Sequence, residues 1–189
     1  MLKRILLTLL LTILSAGAAS AGSIDLGFND NSFQLEYEHP LHSDDYGTSL
    51  GSARFLYNDD EETVLGSVGF DFVGEPGNVP GLDLGVGAEI YGGETDHNQE
   101  FINLGINGRV AYAPPRLWGL GVSGRIAYAP EIFSFLDSER LFEADLRLTY
   151  AILPKVRVYL GYQNIRMDFE DTSTWTIDEA VRVGFIGHF

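Results

Sequence analysis

Period-two alternation runs through the chain almost from end to end, and it limits the fold more than any other feature. Phe142, Ala144, Leu146, Leu148, Tyr150 and Ile152 fall on one side, while Glu143, Asp145, Arg147 and Thr149 fall on the other. Residues 82–91, 101–112 and 118–129 repeat the scheme. Successive side chains of an extended strand point to opposite faces, so alternation over ten residues specifies a strand. Residues 49–58, 64–73, 156–169 and 177–189 are further candidates, and a shorter hairpin joins 23–28 to 32–38. The pattern predicts ten strands; eight from Ser49 onward, with an accessory N-terminal hairpin, is the alternative. In residues 156–169 the apolar parity changes from even to odd. Either a β-bulge near Gln163 and Asn164 or the strand leaving an apolar medium would produce that change.

The first 21 residues are of another kind. Lys3 and Arg4 precede an apolar run from Ile5 to Leu14, and Ala19-Ser20-Ala21 supplies a small-residue cleavage motif. This is the layout of a secretory signal peptide, and its run is shorter than the roughly 20 residues of a membrane anchor. Residues 22–189 then form one exported domain. Removing Lys3 and Arg4 from the chain's 12 basic residues leaves ten against 27 acidic, which moves the formal charge from −15 to −17. Such acidity argues against nucleic acid as a partner. No cysteine is present, which excludes disulfides, zinc–thiolate sites and thiol nucleophiles. Beyond residue 21 no apolar run reaches helix-spanning length, so a membrane form has to be a closed barrel of strands.

Three features turn the apolar face outward, toward lipid. The polar face mixes glycines with full charges, as in Gly119, Gly121, Ser123 and Arg125; inside a narrow barrel the glycines make room for long arginines on neighbouring strands. Aromatic residues (Tyr112, Trp118, Tyr150 and Phe189) sit at strand ends, as in an interfacial girdle. The strands have the length of a tilted crossing. The expected fold class is therefore all-β: a transmembrane antiparallel up-and-down barrel following a signal peptide, inserted in the outer membrane. A soluble periplasmic lipocalin-like binding barrel is the alternative. With both termini in the periplasm, "LPK" and "APPRL" are periplasmic turns, while "EDTSTWT", "PEIFSFLDSER" and "GGETDHNQE" are outer loops. Residues 39–48 would be an unusually long periplasmic connection.

By parity the lumen receives Arg54, Arg109, Arg125, Arg147, Arg157 and Arg182, with Asp71, Asp83, Glu89, Glu143 and Asp145. The planar fork of arginine suits bidentate carboxylate pairing in a confined space. Paired charges would plug a barrel whose interior side chains only just fill; a narrow polar pore is the competing reading. A lipid-modifying or proteolytic barrel enzyme would need a rim histidine. Only His97, beside Asp96 and near Glu94, is placed for that, with Ser134, Ser138 or Ser173 approaching from other loops. The acidic runs "NDDEE", "ETDHNQE" and "FEDTS" offer oxygen ligands to divalent cations bridging lipopolysaccharide phosphates, without any EF-hand spacing. No residue is assigned to catalysis, cofactor or metal, and no cofactor is implied. The expected partners are outer-membrane lipid and lipopolysaccharide, and transiently the export and barrel-assembly machinery, which a terminal amphipathic strand ending in Phe189 suits.

Four stretches carry a family likeness: "FLYNDDEETVLGSVGF", "GNVPGLDLGVGAEIYGGETDH", "GLGVSGRIAYAPEIFSFLDSERLFE" and "LPKVRVYLGYQNIRMDFED". In this order they resemble the YfaZ family of bacterial outer-membrane proteins. The resemblance implies an outer-membrane barrel in a Gram-negative envelope, and brings no catalytic residues with it; the charged lumen makes a structural or narrow channel-forming role the expected function.

Overall fold

The computed structural model describes residues 22–95, 99–169 and 172–189. The signal-like segment and His97 lie outside them. Eleven strands follow in order: β1 (Ser23–Phe28), β2 (Ser32–Asp44), β3 (Gly47–Asn58), β4 (Thr63–Gly74), β5 (Leu82–Glu94), β6 (Glu100–Tyr112), β7 (Leu120–Ala129), β8 (Ser134–Leu136), β9 (Ser138–Leu153), β10 (Val156–Phe169) and β11 (Thr172–His188). Every pairing is antiparallel, and β1 pairs with both β2 and β11, so the ring closes. β7 and β8 share one place in it. β6 pairs with β7 at Ile106–Tyr112 and with β8 at Phe101–Asn103. Between them Pro130, which has no N–H for the ladder, and a 3₁₀ turn over Glu131–Phe133 interrupt the strand. The result is a ten-stranded closed barrel in which the short β1 is a full member, not an accessory.

Both described chain ends lie at one rim, here the terminal end, opposite a distal end. Three expectations are corrected. No long connection spans residues 39–48: β2 runs on to Asp44, and only Asp45 and Tyr46 precede β3. Asp44 Oδ1 accepts from the backbone N–H of Tyr46 (2.9 Å) and of Gly47 (3.1 Å), which closes the turn locally. The strand carries Pro40 because the register slips there, between Pro40 and His42. The distal loops are also shorter than expected, since β8, β9 and β11 extend into the segments read as loops; the longest irregular connections, 75–81 and 113–119, are at the terminal end. Third, Trp118 is not in a strand. It takes a left-handed turn conformation (φ 52°), followed by Gly119 (φ 94°).

The parity change in β10 is a change of medium. Its odd residues face inward throughout, from Tyr159 to Phe169. The extra residue is Ile177, on the partner strand β11, between the pairs Ile165–Asp178 and Arg166–Thr176. The outward face turns charged instead: Arg166 pairs with Glu179 at 3.1 Å, and Arg140 with Asp168 at 2.7 Å.

Below these pairs the exterior is an apolar belt. Val68, Val86, Ile106, Leu146 and Val181 are each more than half exposed. Contiguous apolar surface on this scale is foreign to soluble monomers, and it satisfies a barrel solvated by hydrocarbon. Aromatic residues bound the belt, with cross-strand pairs Phe28–Phe33 and Tyr128–Phe142 distally and Phe72, Tyr112 and Tyr150 toward the terminal end. From Phe142 to Tyr150 is about 26 Å along the strand, or roughly 20 Å of membrane thickness at a tilt of ~40°. Leu146 lies midway between Phe142 and Tyr150, so Leu146→Arg is expected to destabilise the folded barrel by about 2–4 kcal/mol in reversible urea unfolding from vesicles. The same substitution at Arg166's level should cost almost nothing.

Candidate functional site

The interior divides into two halves. In the distal half Leu56, Leu65, Phe101, Leu141, Ile165, Met167 and Ile177 are at most 1 % exposed, and Ala127, Ala129, Tyr91 and Phe169 complete the layer. Eight strands contribute to it, from β3 round to β11 (β8 and the β1–β2 hairpin apart). On the β1–β2 side the gap is filled by Arg182, whose guanidinium donates to Ser32 Oγ (2.8 Å), Gln34 Oε1 (3.1 Å) and Asp178 Oδ2 (2.9 Å).

Beneath the apolar layer lies a buried ionic layer. Arg54 makes a two-pronged contact with Glu143, with Nη2 2.9 Å from Oε2 and Nη1 hydrogen-bonded to Oε1. Strand order makes this a tie across the full diameter: β3 and β9 stand five places apart in a ring of ten. Glu89 lies 3.4 Å from Arg54 and is hydrogen-bonded by Arg125, while the Tyr91 hydroxyl is 3.0 Å from a carboxylate oxygen of both Glu89 and Glu143. Gln163 Nε2 donates to Glu143 Oε1 at 3.3 Å.

Toward the terminal end the lumen widens into a vestibule of about 350 Å³. Its wall carries Arg54, Arg109, Arg125, Arg147 and Arg157, and the carboxylates Asp25, Glu36, Glu38, Asp83, Glu143 and Asp145. Arg109 reaches Glu38 at 2.6 Å, with Asp71 at 3.8 Å behind it. Arg147 meets Asp25 at 2.5 Å and Asp145 at 2.8 Å, and lies over the Tyr159 ring. Arg157 and His188 stand at the mouth. Glycines clear the way for these long side chains. A Cβ at Gly85 would lie 2.7 Å from Arg109 Cγ, and one at Gly27 would lie 2.7 Å from Arg182 Cδ.

Ten of the parity-assigned charges thus fall into three places. Arg54, Glu89 and Glu143 form the ionic layer, which Arg125 joins from the vestibule side. Arg109, Asp145 and Arg147 line the vestibule, with Asp71 behind Arg109. Arg157 stands at its mouth, and Arg182 sits apart beside Asp178. Asp83 also lines the vestibule, but has no ion-pair partner among the described residues. Parity did not single out Asp25, Glu36 and Glu38, because the hairpin holding them reads as too short to span. Their signal was the alternation of Phe33, Leu35 and Tyr37 with Gln34, Glu36 and Glu38. Among the described residues no group of three or more His, Asp or Glu side chains is placed to hold a metal ion.

Among solved structures, the KdgM porin resembles the chain with TM-score 0.46 and 11% identity, covering 89% of this chain and 99% of that one. The KdgM porin in complex with disordered oligogalacturonate gives 0.44 and 11%, with the same coverages. A chain from work on the in-meso crystallization of membrane proteins gives 0.48 and 13%, covering 90% and 83%. No curated protein matches the chain. The family model described as YfaZ precursor matches residues 1–189, the whole length, and the chain belongs to the YfaZ family.

Proposed function

We propose that this YfaZ-family chain is a small structural barrel of the Gram-negative outer membrane, sealed toward the cell exterior and open only as a charged vestibule toward the periplasm. The observation that carries this reading is the packing of the distal half: apolar side chains at most 3 % exposed fill most of its section, and buried Arg182 with Ser32, Gln34 and Asp178 fills the β1–β2 side. A dry apolar constriction opposes ion passage because an ion entering it gives up its hydration and gains no partner. The placement of the two ends follows the barrel rule that both termini lie in the periplasm, and it accords with the signal-like segment at residues 1–21. Export machinery acting on that segment, barrel-assembly machinery acting on the terminal strand, and lipid with lipopolysaccharide around the belt are the partners this reading entails.

Purified, folded protein in planar bilayers is expected to show no discrete openings at moderate voltage. A steady family of single-channel steps from wild-type protein would replace the sealed barrel with the narrow pore.

A further inference from the structure

We infer that the terminal end carries a site for one anionic phospholipid, its headgroup held between the β6–β7 and β9–β10 turns and an acyl chain lying in a furrow on the lipid face above them. The charge of the rim leads there first. The β2–β3 turn carries Asp44 and Asp45 and the β4–β5 connection carries Glu75, whereas the next two turns round the ring carry Arg116 and Lys155. Residues 101–130 and 146–167 contain no acidic residue, in a chain with 27 of them. Arg116 and Lys155 are exposed, and neither has an ion-pair partner among the described residues. Two uncompensated cations on one side of an acidic rim complement an anionic headgroup, and each is worth about fivefold in affinity near such a surface.

Apolar side chains continue past the aromatic girdle at the same corner. Beyond Tyr150, β9 ends on Ile152 and Leu153, both more than half exposed. The backbone N–H of Ala151 donates to the Gly119 carbonyl oxygen at 2.9 Å, which sets Leu117 and Trp118 beside that strand end. Trp118 is 90 % exposed and held in the left-handed conformation (φ 52°), which is costly for a bulky side chain. A Cβ at Gly119 would stand 3.0 Å from Ala151 Cβ, so the turn is pressed against β9. An indole beside arginine and lysine is the side-chain set of a membrane interface, with the ring among the headgroups and the cations toward phosphate. The patch is continuous with the belt through Leu120 and Tyr150, which pair across β7 and β9.

Above this corner the belt is hollowed. A furrow of about 330 Å³ is lined by Gly108, Val110, Gly124, Ile126, Leu146 and Tyr162, on β6, β7, β9 and β10. A Cβ at Gly108 would meet only the Gly85 carbonyl oxygen, at 4.0 Å, so the furrow is open there. From Leu146 to Ile152 is about 20 Å along β9, or about 15 Å of depth at a tilt of ~40°. That depth is half of a hydrocarbon core of roughly 30 Å. An acyl chain inclined with the strands therefore lies in the furrow while its headgroup meets Arg116 and Lys155.

The test uses folded Trp175→Phe protein, in which Trp118 is the sole tryptophan, in phosphatidylcholine vesicles doped with acyl-brominated phosphatidylglycerol or acyl-brominated phosphatidylcholine, which quench indole fluorescence on contact. Phosphatidylglycerol is expected to quench Trp118 with about tenfold higher apparent affinity, and strong salt should narrow the difference. Arg116→Gln with Lys155→Gln should abolish the preference. Gly108→Leu, which fills the furrow, should weaken phosphatidylglycerol quenching about threefold, and Glu75→Gln on the acidic side of the rim should change nothing. The inference is overturned if Trp118 is quenched equally by both lipids, if the double variant keeps the preference, or if Gly108→Leu matches the parent. It is overturned equally if Trp118 escapes quenching, which would leave the patch to a water-borne protein partner. Unheated electrophoretic migration confirms that each variant is folded before measurement. The inference rests on the sealed-barrel reading only for assigning the terminal end to the periplasmic leaflet: lipid selectivity in a conducting barrel defeats that reading alone, and a silent barrel without selectivity defeats this one alone.

Discussion

Arg54→Ala is expected to destabilise the folded barrel by about 3–5 kcal/mol, the largest effect of any single substitution considered. Glu143 is fully buried and takes both prongs of the Arg54 guanidinium, with Tyr91 and Gln163 as its remaining partners. Two neutral donors do not replace a cation, so an ionised carboxylate would remain buried, where desolvation costs several kcal/mol. Glu89, 3.4 Å from the same guanidinium, would lose part of its compensation too. Arg54→Lys should recover less than half of the loss, because one ammonium cannot reproduce a fork aimed at two oxygens. The double variant Arg54→Met with Glu143→Leu should be close to wild type in stability, since removing both charges also removes the need to desolvate them. Reversible urea unfolding of the four proteins from vesicles closes the cycle. A double variant as unstable as Arg54→Ala would mean that packing, not charge, sets the cost.

That cycle turns on a pairing absent from the linear sequence. Alternation places Arg54 and Glu143 on inward faces, because outward apolar neighbours such as Phe55, Phe142 and Ala144 fix the parity of both strands. Which inward charges meet is decided by strand order and stagger around the ring. Arg54 and Glu143 are 89 residues apart, and nothing local to either one announces the other. The apolar layer was hidden for a different reason. Reading every apolar residue as outward leaves no place for Leu56, Leu65 or Phe101, which share the inward face with Arg54, Ser67 and Asn103. The one visible trace was the run Ile165, Met167, Phe169 on the odd face of β10, a change of lumen filling that looked like a change of strand parity. Connection lengths are less legible in the sequence because polar residues such as Ser138 suit a strand equally well once it has risen above the lipid into water.

Serine at Leu65, Phe101 and Met167 together is expected to convert a silent barrel into a conducting one. The three side chains come from β4, β6 and β10, so their shortening affects widely separated parts of the ring. Each is at most 1 % exposed. Hydroxyls in their place offer water the hydrogen bonds that the apolar layer withholds, and a constriction that gates by dewetting opens when its lining is wetted. Water would then reach the ionic layer, where hydration competes with the Arg54–Glu143 tie and lets its side chains part. Adding Arg54→Ser and Glu143→Ser to the triple variant should lengthen the openings, since the second barrier is removed with the first. Net negative charge in the vestibule predicts the sign of selectivity: in a potassium chloride gradient the reversal potential should favour potassium over chloride. Removing large buried side chains costs stability, on the order of 2–5 kcal/mol each, so the recordings are meaningful only for protein that still migrates as a folded barrel before heating. A folded five-site variant that stays silent would place the seal outside these two layers. Folded openings that favour chloride would contradict the charge balance read from the wall.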